Sequence, residues 1–218
     1  GANFDPYVFR CGRQNIQDAL TMGAALTQLG SNFIQVAQDN AFGQGSAAGF
    51  HSVVTAAGGV FPVNDTETGF GAIFAPPDTT DFTPYINEVL DSGADVVIVS
   101  WAGAGYVPMF QQMQQLGVFD TMDVATGFGD NQTLAQGYAD AVNSVGVVVY
   151  HYSLFDNPIN NFLTEQHIER FGTPPDLWAE AGFNCATMIN DAVTATGGDT
   201  SGDALVAVLE GMQFQGPK

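Results

Sequence analysis

The sequence predicts an α/β protein built on a doubly wound parallel sheet, and three features support this fold class. Short apolar segments alternate along the chain with longer segments whose apolar residues recur at helical spacing. Residues 95–100, Asp-Val-Val-Ile-Val-Ser, form a nearly continuous β-branched run, which is typical of a parallel strand buried on both faces. The 26 glycines suit the tight turns that join strands to helices. Repeated strand–helix units imply right-handed crossovers and helices on both faces of the sheet.

Strands and helices are predicted to alternate as far as His151. The predicted strands are 33–37, one that starts with 60–63, 95–100, 122–126 and 145–150. The predicted helices are 14–29, 44–57, 82–92, 108–116 and 132–140. The apolar face predicted for the first helix consists of Ala19, Leu20, Ala24, Leu26 and Leu29. Glycine directly follows most of these helices, for example at Gly30, Gly58 and Gly93, where a helix commonly ends.

After His151 the pattern becomes mainly helical. The helices predicted here are 158–171, 178–196 and 201–211. The first two are separated by Gly172-Thr-Pro-Pro-Asp176, whose two prolines make a rigid turn. This part of the chain therefore has a different organisation from the region before it.

The charge balance excludes two classes of partner. Asp and Glu number 23 against 4 Lys and Arg, so the formal net charge is −19. The basic residues are Arg10, Arg13, Arg170 and Lys218. A surface of this charge repels nucleic acid phosphates and anionic lipid headgroups, so neither is predicted as a partner.

The same charge predicts an effect of salt on the folded state. Charge of one sign destabilises a compact fold by self-repulsion, and salt screens it with a Debye length of about 3 Å at 1 M. One interpretation is a protein adapted to a high-salt medium, and the alternative is an acidic extracellular protein. The near-absence of Lys favours the first interpretation.

No motif indicates an enzyme, a cofactor or a metal site. The sequence has no Gly-x-Ser-x-Gly elbow and no phosphate-binding loop ending in Gly-Lys-Ser or Gly-Lys-Thr. The three histidines are isolated, and Cys11 and Cys185 lack a zinc-type spacing. These two cysteines could form a disulfide or lie as two small buried apolar side chains. No apolar run reaches about 18 residues, so no membrane span is predicted, and no signal peptide is visible.

Three loops at strand ends predict a binding site. Loops 38–43, 101–106 and 127–131 each follow a predicted strand, and ligands of doubly wound sheets bind beyond the carboxyl ends of the strands. These loops carry the aromatic residues Phe42, Trp101, Tyr106 and Phe128. Each could instead pack in the core, but together they fit a mostly apolar small-molecule cleft. Directed polar groups could come from Asp39, Ser100, Asp130, Asn131 and the backbone N–H groups of Gly103 and Gly129.

Several of these segments resemble one known family. The stretch Asp39-Asn-Ala-Phe-Gly-Gln-Gly45 resembles Asp-x-x-Tyr-Gly-x-Gly in the type I periplasmic binding proteins of the leucine/isoleucine/valine family. Other stretches match that family in the same order, namely 6–10, 79–84, 94–103, 171–176 and 181–186. The resemblance covers nearly the whole chain.

The resemblance implies two lobes joined by a hinge, with the ligand held between them. Residues 11–149 would form the second ligand-binding lobe. Residues 1–10 and 150–218 would form the crossover and part of a first lobe that is incomplete in this sequence. The segment expected to be absent carries, in the family, the small-residue loop that binds a ligand carboxylate.

The resemblance also assigns roles to site residues. Phe42 falls where the family often has a ligand-facing tyrosine, and the segment containing Trp101, Ala102, Gly103 and Tyr106 falls on the second cleft loop. Gly127, next to Phe128, falls where amino-acid binders place an acidic residue for the ligand ammonium. Asp130 could replace that acid. If it does not, the ligand is expected to be an amide, a urea-like compound or a carboxylic acid.

The function implied is that of a non-enzymatic substrate-binding protein of an ABC importer. It would bind a small amino-acid-like solute, a branched-chain amino acid above all, by hinge closure, and would need no cofactor. Its partner would be the transporter permease. It would work outside the cytoplasm, in the periplasm or on the cell surface, anchored by a lipid at an N-terminus that the sequence lacks. The alternative is a ligand-sensing receptor domain of the same fold.

Overall fold

The computed structural model describes residues 5–63, 69–127 and 144–218, and within them the chain divides into two compact units. One unit is continuous in sequence and consists of Gln14–Val148. The other is discontinuous and combines Gly1–Arg13 with Val149–Lys218. The chain therefore leaves the discontinuous unit after Arg13 and returns to it at Val149.

The continuous unit alternates strands and helices. Its described strands are β1 (Phe33–Gln38), β2 (Ala72–Ala75), β3 (Val96–Ser100), β4 (Asp123–Thr126) and β5 (Ser144–Gly146). Its described helices are α1 (Asn15–Leu26), α2 (Ala41–Ala56), α3 (Thr83–Asp91), α4 (Tyr106–Gln115) and α5 (Val118–Thr121). The helix predicted over 132–140 lies outside the described residues.

The five strands form one parallel sheet in the order β2-β1-β3-β4-β5. The β1–β3 pairing is the longest, running from Phe33 opposite Val96 to Ala37 opposite Ser100. Parallel strands need crossover connections, and helices supply them here. The predicted fold class, a doubly wound parallel sheet, is confirmed.

Hydrophobic clusters cover both faces of the sheet. On one face the strands pack against α3, α4 and α5, through buried side chains such as Ile34, Val97 and Phe110. On the other face they pack against α1 and α2, through side chains such as Phe33 and Ile98. Burying one large apolar side chain stabilises a fold by about 1.5–3 kcal/mol, so this two-sided core fixes the sheet and its edges.

The second predicted strand is misplaced. Residues 60–63 form only a single parallel bridge, between Asn32 and Val60, and the strand next to β1 is Ala72–Ala75. Phe61 is buried, and a Cβ on Gly71 would lie 2.5 Å from the Phe61 Cβ. The run Val60–Val63 therefore packs through the Phe61 ring against Gly71, just before β2. It does not form a strand that pairs along its length.

The apolar face of α1 also differs from the prediction. Leu20 is 63% exposed and Leu29 lies beyond the end of the helix. The buried face consists of Asp18, Ala19, Met22, Gly23 and Leu26. This face packs on α2, where a Cβ on Gly23 would lie 2.9 Å from Val53 Cγ1. The buried face of α1 is therefore the one where a small residue, Gly23, lets α2 come close. It is not the face richest in leucine.

The discontinuous unit is helical, as the pattern after His151 predicts. Its described elements are a 3-10 turn (Tyr152–Leu154) and the helices α6 (Pro158–Phe171), α7 (Leu177–Ala195) and α8 (Gly202–Leu209). Asn157 and Asp176 cap α6 and α7 by accepting backbone N–H bonds. Large apolar side chains on this unit remain exposed, among them Leu154, Phe162, Phe171, Trp178 and Ile189.

Candidate functional site

The sheet order of the continuous unit places a switch point between β1 and β3. The chain runs from β1 to its neighbour β2 at one edge of the sheet, and then crosses back to form β3 on the other side of β1. In open parallel sheets such a point leaves a crevice beyond the carboxyl ends of the two strands. Here those ends are Gln38 and Ser100, so the predicted loops 38–43 and 101–106 lie on either side of the switch point.

A tight turn after β1 positions Phe42. Asn40 caps α2 by accepting a hydrogen bond from the Gly43 N–H at 3.0 Å. A Cβ on Gly43 would lie 2.0 Å from the Gln38 carbonyl oxygen, so only glycine fits there. The Asn15 side chain donates to the Phe42 carbonyl at 3.1 Å, which ties the start of α1 to the same turn. Phe42 itself is half-buried.

Gln38 connects the two loops across the switch point. Its side-chain Nε2 donates to the Ala102 carbonyl oxygen at 2.9 Å, and its side-chain Oε1 accepts a hydrogen bond from the Ala102 N–H at 3.3 Å. Gln38 is 6% exposed, so this reciprocal pair is shielded from water. The pairing fixes the backbone of Ala102, and Gly103 beside it is exposed with φ at 85°. Gln38 was missed by sequence reasoning, although a polar residue ending a buried strand was the available signal.

The two aromatic residues of the second loop lie in the hydrophobic core. Trp101 is 1% exposed and packs edge-to-face on Phe82, with ring centroids 5.0 Å apart. Tyr106 is 6% exposed, and its hydroxyl donates to the Thr126 hydroxyl at 3.3 Å. Their rings thus build the wall beneath the edge, between the ends of β3 and β4.

Ser100, at the end of β3, has a buried hydroxyl with no hydrogen-bond partner among the residues that the structure describes. Among the described residues, neither its Oγ nor the Trp101 Nε1 beside it in sequence has a hydrogen-bond partner. Leaving a buried polar group unpaired costs about 1–3 kcal/mol. Such groups at the carboxyl end of a switch-point strand can bind a polar group of a ligand or a water molecule.

The carboxylate of Asp18 lies beside Gly127. The family resemblance implies an acidic side chain at position 127, and this chain has glycine there. Asp18 lies in the first turn of α1 and is 3% exposed. A Cβ on Gly127 would lie 3.3 Å from Phe50 Cε2 and 3.8 Å from Asp18 Oδ2. A carboxylate from another element therefore lies beside the position where an acidic side chain is expected. Sequence reasoning missed Asp18, although a charged residue within the buried stripe of α1 was the signal.

Four other predicted site residues have no described environment. Phe128 and Asp130 lie outside the described residues, as do Gly129 and Asn131. Asp39 is exposed and accepts a hydrogen bond from the Gln44 side chain at 3.0 Å. The described part of the edge therefore brings together Phe42, Ser100, Ala102, Gly103 and Gly127, with Trp101 and Tyr106 beneath them.

Three further features of the described residues concern metal ligands, membrane spans and a cavity. In residues 5–63, 69–127 and 144–218, no group of three His, Cys, Asp or Glu side chains could hold a metal ion. Over the same ranges, no helix is long and apolar enough to cross a membrane. A cavity of about 410 Å³ lies in the discontinuous unit, lined by Asn157, Pro158, Ile159, Phe214, Gln215, Gly216 and Lys218. No predicted site residue lines it.

Comparison with known proteins gives the family. The family model described as a periplasmic binding protein matches residues 1–218. The chain therefore belongs to the periplasmic binding protein family, and the resemblance to its type I, branched-chain amino acid group is confirmed. A comparison with curated protein sequences gives no significant match.

Solved structures share the fold. An ABC-type branched-chain amino acid transporter from Rhodopseudomonas palustris is 30% identical with a TM-score of 0.76, covering 99% of this chain and 56% of its own. A solute-binding protein of the same species, in complex with 3,4-dihydroxybenzoic acid, is 24% identical with a TM-score of 0.79, covering 98% and 57%. A leucine-binding protein from Thermotoga maritima is 16% identical with a TM-score of 0.78, covering 95% and 57%. The chain thus spans little more than half the length of these relatives.

Proposed function

We propose that the chain is the ligand-binding part of an extracytoplasmic solute-binding protein that delivers a small solute to an ABC importer. Membership of the family supports this role. The observation that carries it is the switch-point edge, where Gln38 holds the Ala102 backbone and the Ser100 hydroxyl is buried without a partner among the described residues. These groups suit binding without a chemical step.

We further propose that the two compact units correspond to two lobes. Residues 11–149 would form the second ligand-binding lobe, and 1–10 with 150–218 the crossover and part of the first. The division of the chain after Arg13 and before Val149 supports this assignment. So do the large exposed apolar side chains of α6 and α7, because burying them against another element would be favourable.

The proposed ligand is a branched-chain amino acid. Its ammonium group needs a buried counter-charge, because an unpaired buried charge is costly. Asp18 supplies a carboxylate beside Gly127, and Asp130 is the candidate from sequence. Phe42 is half-buried at the same edge and suits contact with an aliphatic side chain, whereas the rings of Trp101 and Tyr106 pack in the core beneath it.

A carboxylic acid without an ammonium group is the second candidate. The absence of an acidic side chain at Gly127 favours it, and one structural relative holds 3,4-dihydroxybenzoic acid. The two candidates differ in charge, and so they make opposite demands on the Asp18 carboxylate. An anionic ligand placed near Asp18 would be repelled, whereas a zwitterionic amino acid would pair with it.

The proposed mechanism is hinge closure. A ligand that contacts both lobes binds the closed form better and shifts the population towards it. The closed form would then dock on the permease. A sensory receptor of the same fold would close in the same way, but it would not stimulate ATP hydrolysis by a reconstituted ABC transporter.

Isothermal calorimetry of the full-length protein tests the function. Leucine, isoleucine and valine would be titrated beside their amides and beside benzoate-type acids, in low and molar KCl. Binding of a branched-chain amino acid with micromolar Kd or better, about −8 kcal/mol, is the expected result. Binding of benzoate-type acids alone would show that the ligand is a carboxylic acid without an ammonium group, and it would leave the proposed receptor role unchanged. Absence of binding across all three sets would contradict the proposal.

A further inference from the structure

Two cysteines far apart in sequence meet within the discontinuous unit. The Cys11 thiol donates a hydrogen bond to Met188 Sδ at 3.5 Å, and Cys185, which precedes Met188 by one turn of the same helix, is close enough to raise the pKa of the Cys11 thiol. Both thiols are free and both residues are half-buried. Met188 and Cys185 belong to α7, whereas Cys11 belongs to the segment before α1. The contact therefore joins the two sequence segments that make up this unit.

Neighbouring contacts show that the segment around Cys11 follows one face of α7. A Cβ on Gly12 would lie 3.9 Å from the Ala181 Cβ, one helical turn before Cys185. Met188 lies one turn after Cys185, and residues three and four apart share a helix face. Contacts with Ala181 and Met188 thus bracket Cys185 and hold Cys11 against it.

The surroundings of Cys11 argue against a reactive thiol or a metal ligand. Burial raises the pKa of the Cys11 thiol to about 11, with smaller contributions from Cys185 and Glu180. The thiolate is the form that attacks substrates and binds metals, and it is scarce at neutral pH when the pKa is raised. A thiol held beside another thiol has one further chemistry, which is oxidation to a disulfide.

We propose that Cys11 and Cys185 form an intramolecular disulfide bond in the protein outside the cytoplasm. The oxidising compartment rests on the proposed extracytoplasmic function. The oxidant is a disulfide. One cysteine thiolate attacks it, releasing one thiol and leaving a mixed disulfide, and the second thiolate attacks the mixed disulfide and releases the other thiol. The net change converts two protein thiols and one external disulfide into one protein disulfide and two external thiols.

The bond would close a loop that contains the whole continuous unit, Gln14–Val148. A disulfide restricts the unfolded chain, and the restriction grows with the length of the loop it closes. It would tie the segment before α1 to α7 by a covalent bond. The bond thus stabilises the discontinuous unit, whose two segments are far apart in sequence.

The test is peptide mapping of the full-length protein. Protein exported to an oxidising compartment, and protein incubated with glutathione disulfide at pH 8.5, would each be alkylated under denaturing conditions and digested without reductant. The expected result is a peptide pair linked through Cys11 and Cys185 that separates on reduction. Recovery of both cysteines fully alkylated in both preparations would overturn the proposal.

Variants add a thermal readout. Reduction should lower the Tm of the wild-type protein by about 5 °C. The Tm of Cys11→Ser and of Cys185→Ser should no longer respond to reductant, whereas Met188→Leu, the matched control, should keep the linked peptide and the response. Ligand affinity measured on the same oxidised and reduced samples separates this proposal from the binding function. Linked peptides without ligand binding would leave the bond in place and remove only the receptor role.

Discussion

The carboxylate of Asp18 lies beside Gly127, which lacks a side chain, and we propose it as the counter-charge for a ligand ammonium group. It is 3% exposed, so its field is only weakly screened by water. The neighbouring ring of Phe50 is also buried, so an aromatic surface lies beside the carboxylate at Gly127. Such an environment favours a ligand ammonium and disfavours a second anion.

Asp18→Asn should weaken binding of branched-chain amino acids. The substitution keeps the shape and removes the charge, so we expect a loss of about 2 kcal/mol, roughly 30-fold in Kd. Calorimetry on wild type and variant measures it. The control is Asp120→Asn, an exposed acid in α5 at the opposite edge of the sheet. If Asp18→Asn binds amino acids as the wild type does while Asp130→Ala does not, Asp130 carries the counter-charge instead.

Asp95 gives a pH dependence whose sign the structure fixes. Its Oδ2 accepts the N–H of Asn32 at 2.9 Å and of Ser31 at 2.8 Å, and these bonds hold the pKa of the carboxyl below its ordinary value of 3.8. The unfolded state then binds more protons, so the stabilisation is present above the unfolded pKa and is lost as pH falls through the folded pKa.

Urea unfolding of wild type and Asp95→Asn from pH 7 to pH 2.5 tests this effect. The variant should be less stable at pH 7, because a neutral amide binds the Ser31 and Asn32 N–H groups more weakly. The difference between the two proteins should shrink below about pH 4. A difference that stays constant across this range would assign the loss to packing rather than to charge.

At the scale of elements, the turn between β1 and α2 sets the geometry of the candidate binding edge. It places the Asn40 cap, the Phe42 carbonyl and Gly43 within one helical turn. Gly43 lies against the backbone of Gln38, the residue that holds the second loop through Ala102. A shift of this turn therefore moves both sides of the switch point together.

Gly43→Ala should destabilise the protein, whereas Gly45→Ala should not. A Cβ at Gly43 would lie 2.0 Å from the Gln38 carbonyl oxygen, and backbone must move to admit it. At Gly45 the nearest atom, Asn15 Nδ2, is 3.7 Å away, so alanine fits within the helix. We expect a loss of about 3 kcal/mol for the first and a gain of about 0.5–1 kcal/mol for the second. Thermal unfolding of the two variants decides, and equal Tm values would contradict the packing argument.

At the scale of the whole molecule, the net charge of −19 is the dominant feature. With 4 basic residues, few of the 23 acidic side chains can form ion pairs. Repulsion among the remaining carboxylates opposes the compact state unless salt screens it. The interpretation as a protein of a high-salt medium stays a prediction.

The Tm should rise between low salt and several molar KCl. Screening relieves repulsion in the folded state more than in the expanded unfolded state, where the charges are farther apart. Differential scanning calorimetry in KCl and in NaCl measures the effect, and sucrose at equal water activity controls for preferential exclusion. A Tm unchanged by molar salt would leave only the alternative of an acidic extracellular protein.

The sequence by itself determined the fold class, most helices and the edge that holds the candidate site. The run 95–100 appears as β3 because a continuous β-branched segment has one stable environment, the middle of a covered parallel sheet. The helices 158–171 and 178–196 appear within one residue of their predicted bounds, because caps and prolines are local signals.

Only the tertiary structure decided which residues meet. The buried face of α1, the position of β2 and the approach of Asp18 to Gly127 depend on packing between elements distant in sequence, which periodicity does not encode. The same is true of Cys11 and Cys185, whose separation along the chain left both a disulfide and two buried thiols open. Local propensity fixes an element, whereas the partner of each side chain is fixed by how the elements exclude water from a shared core.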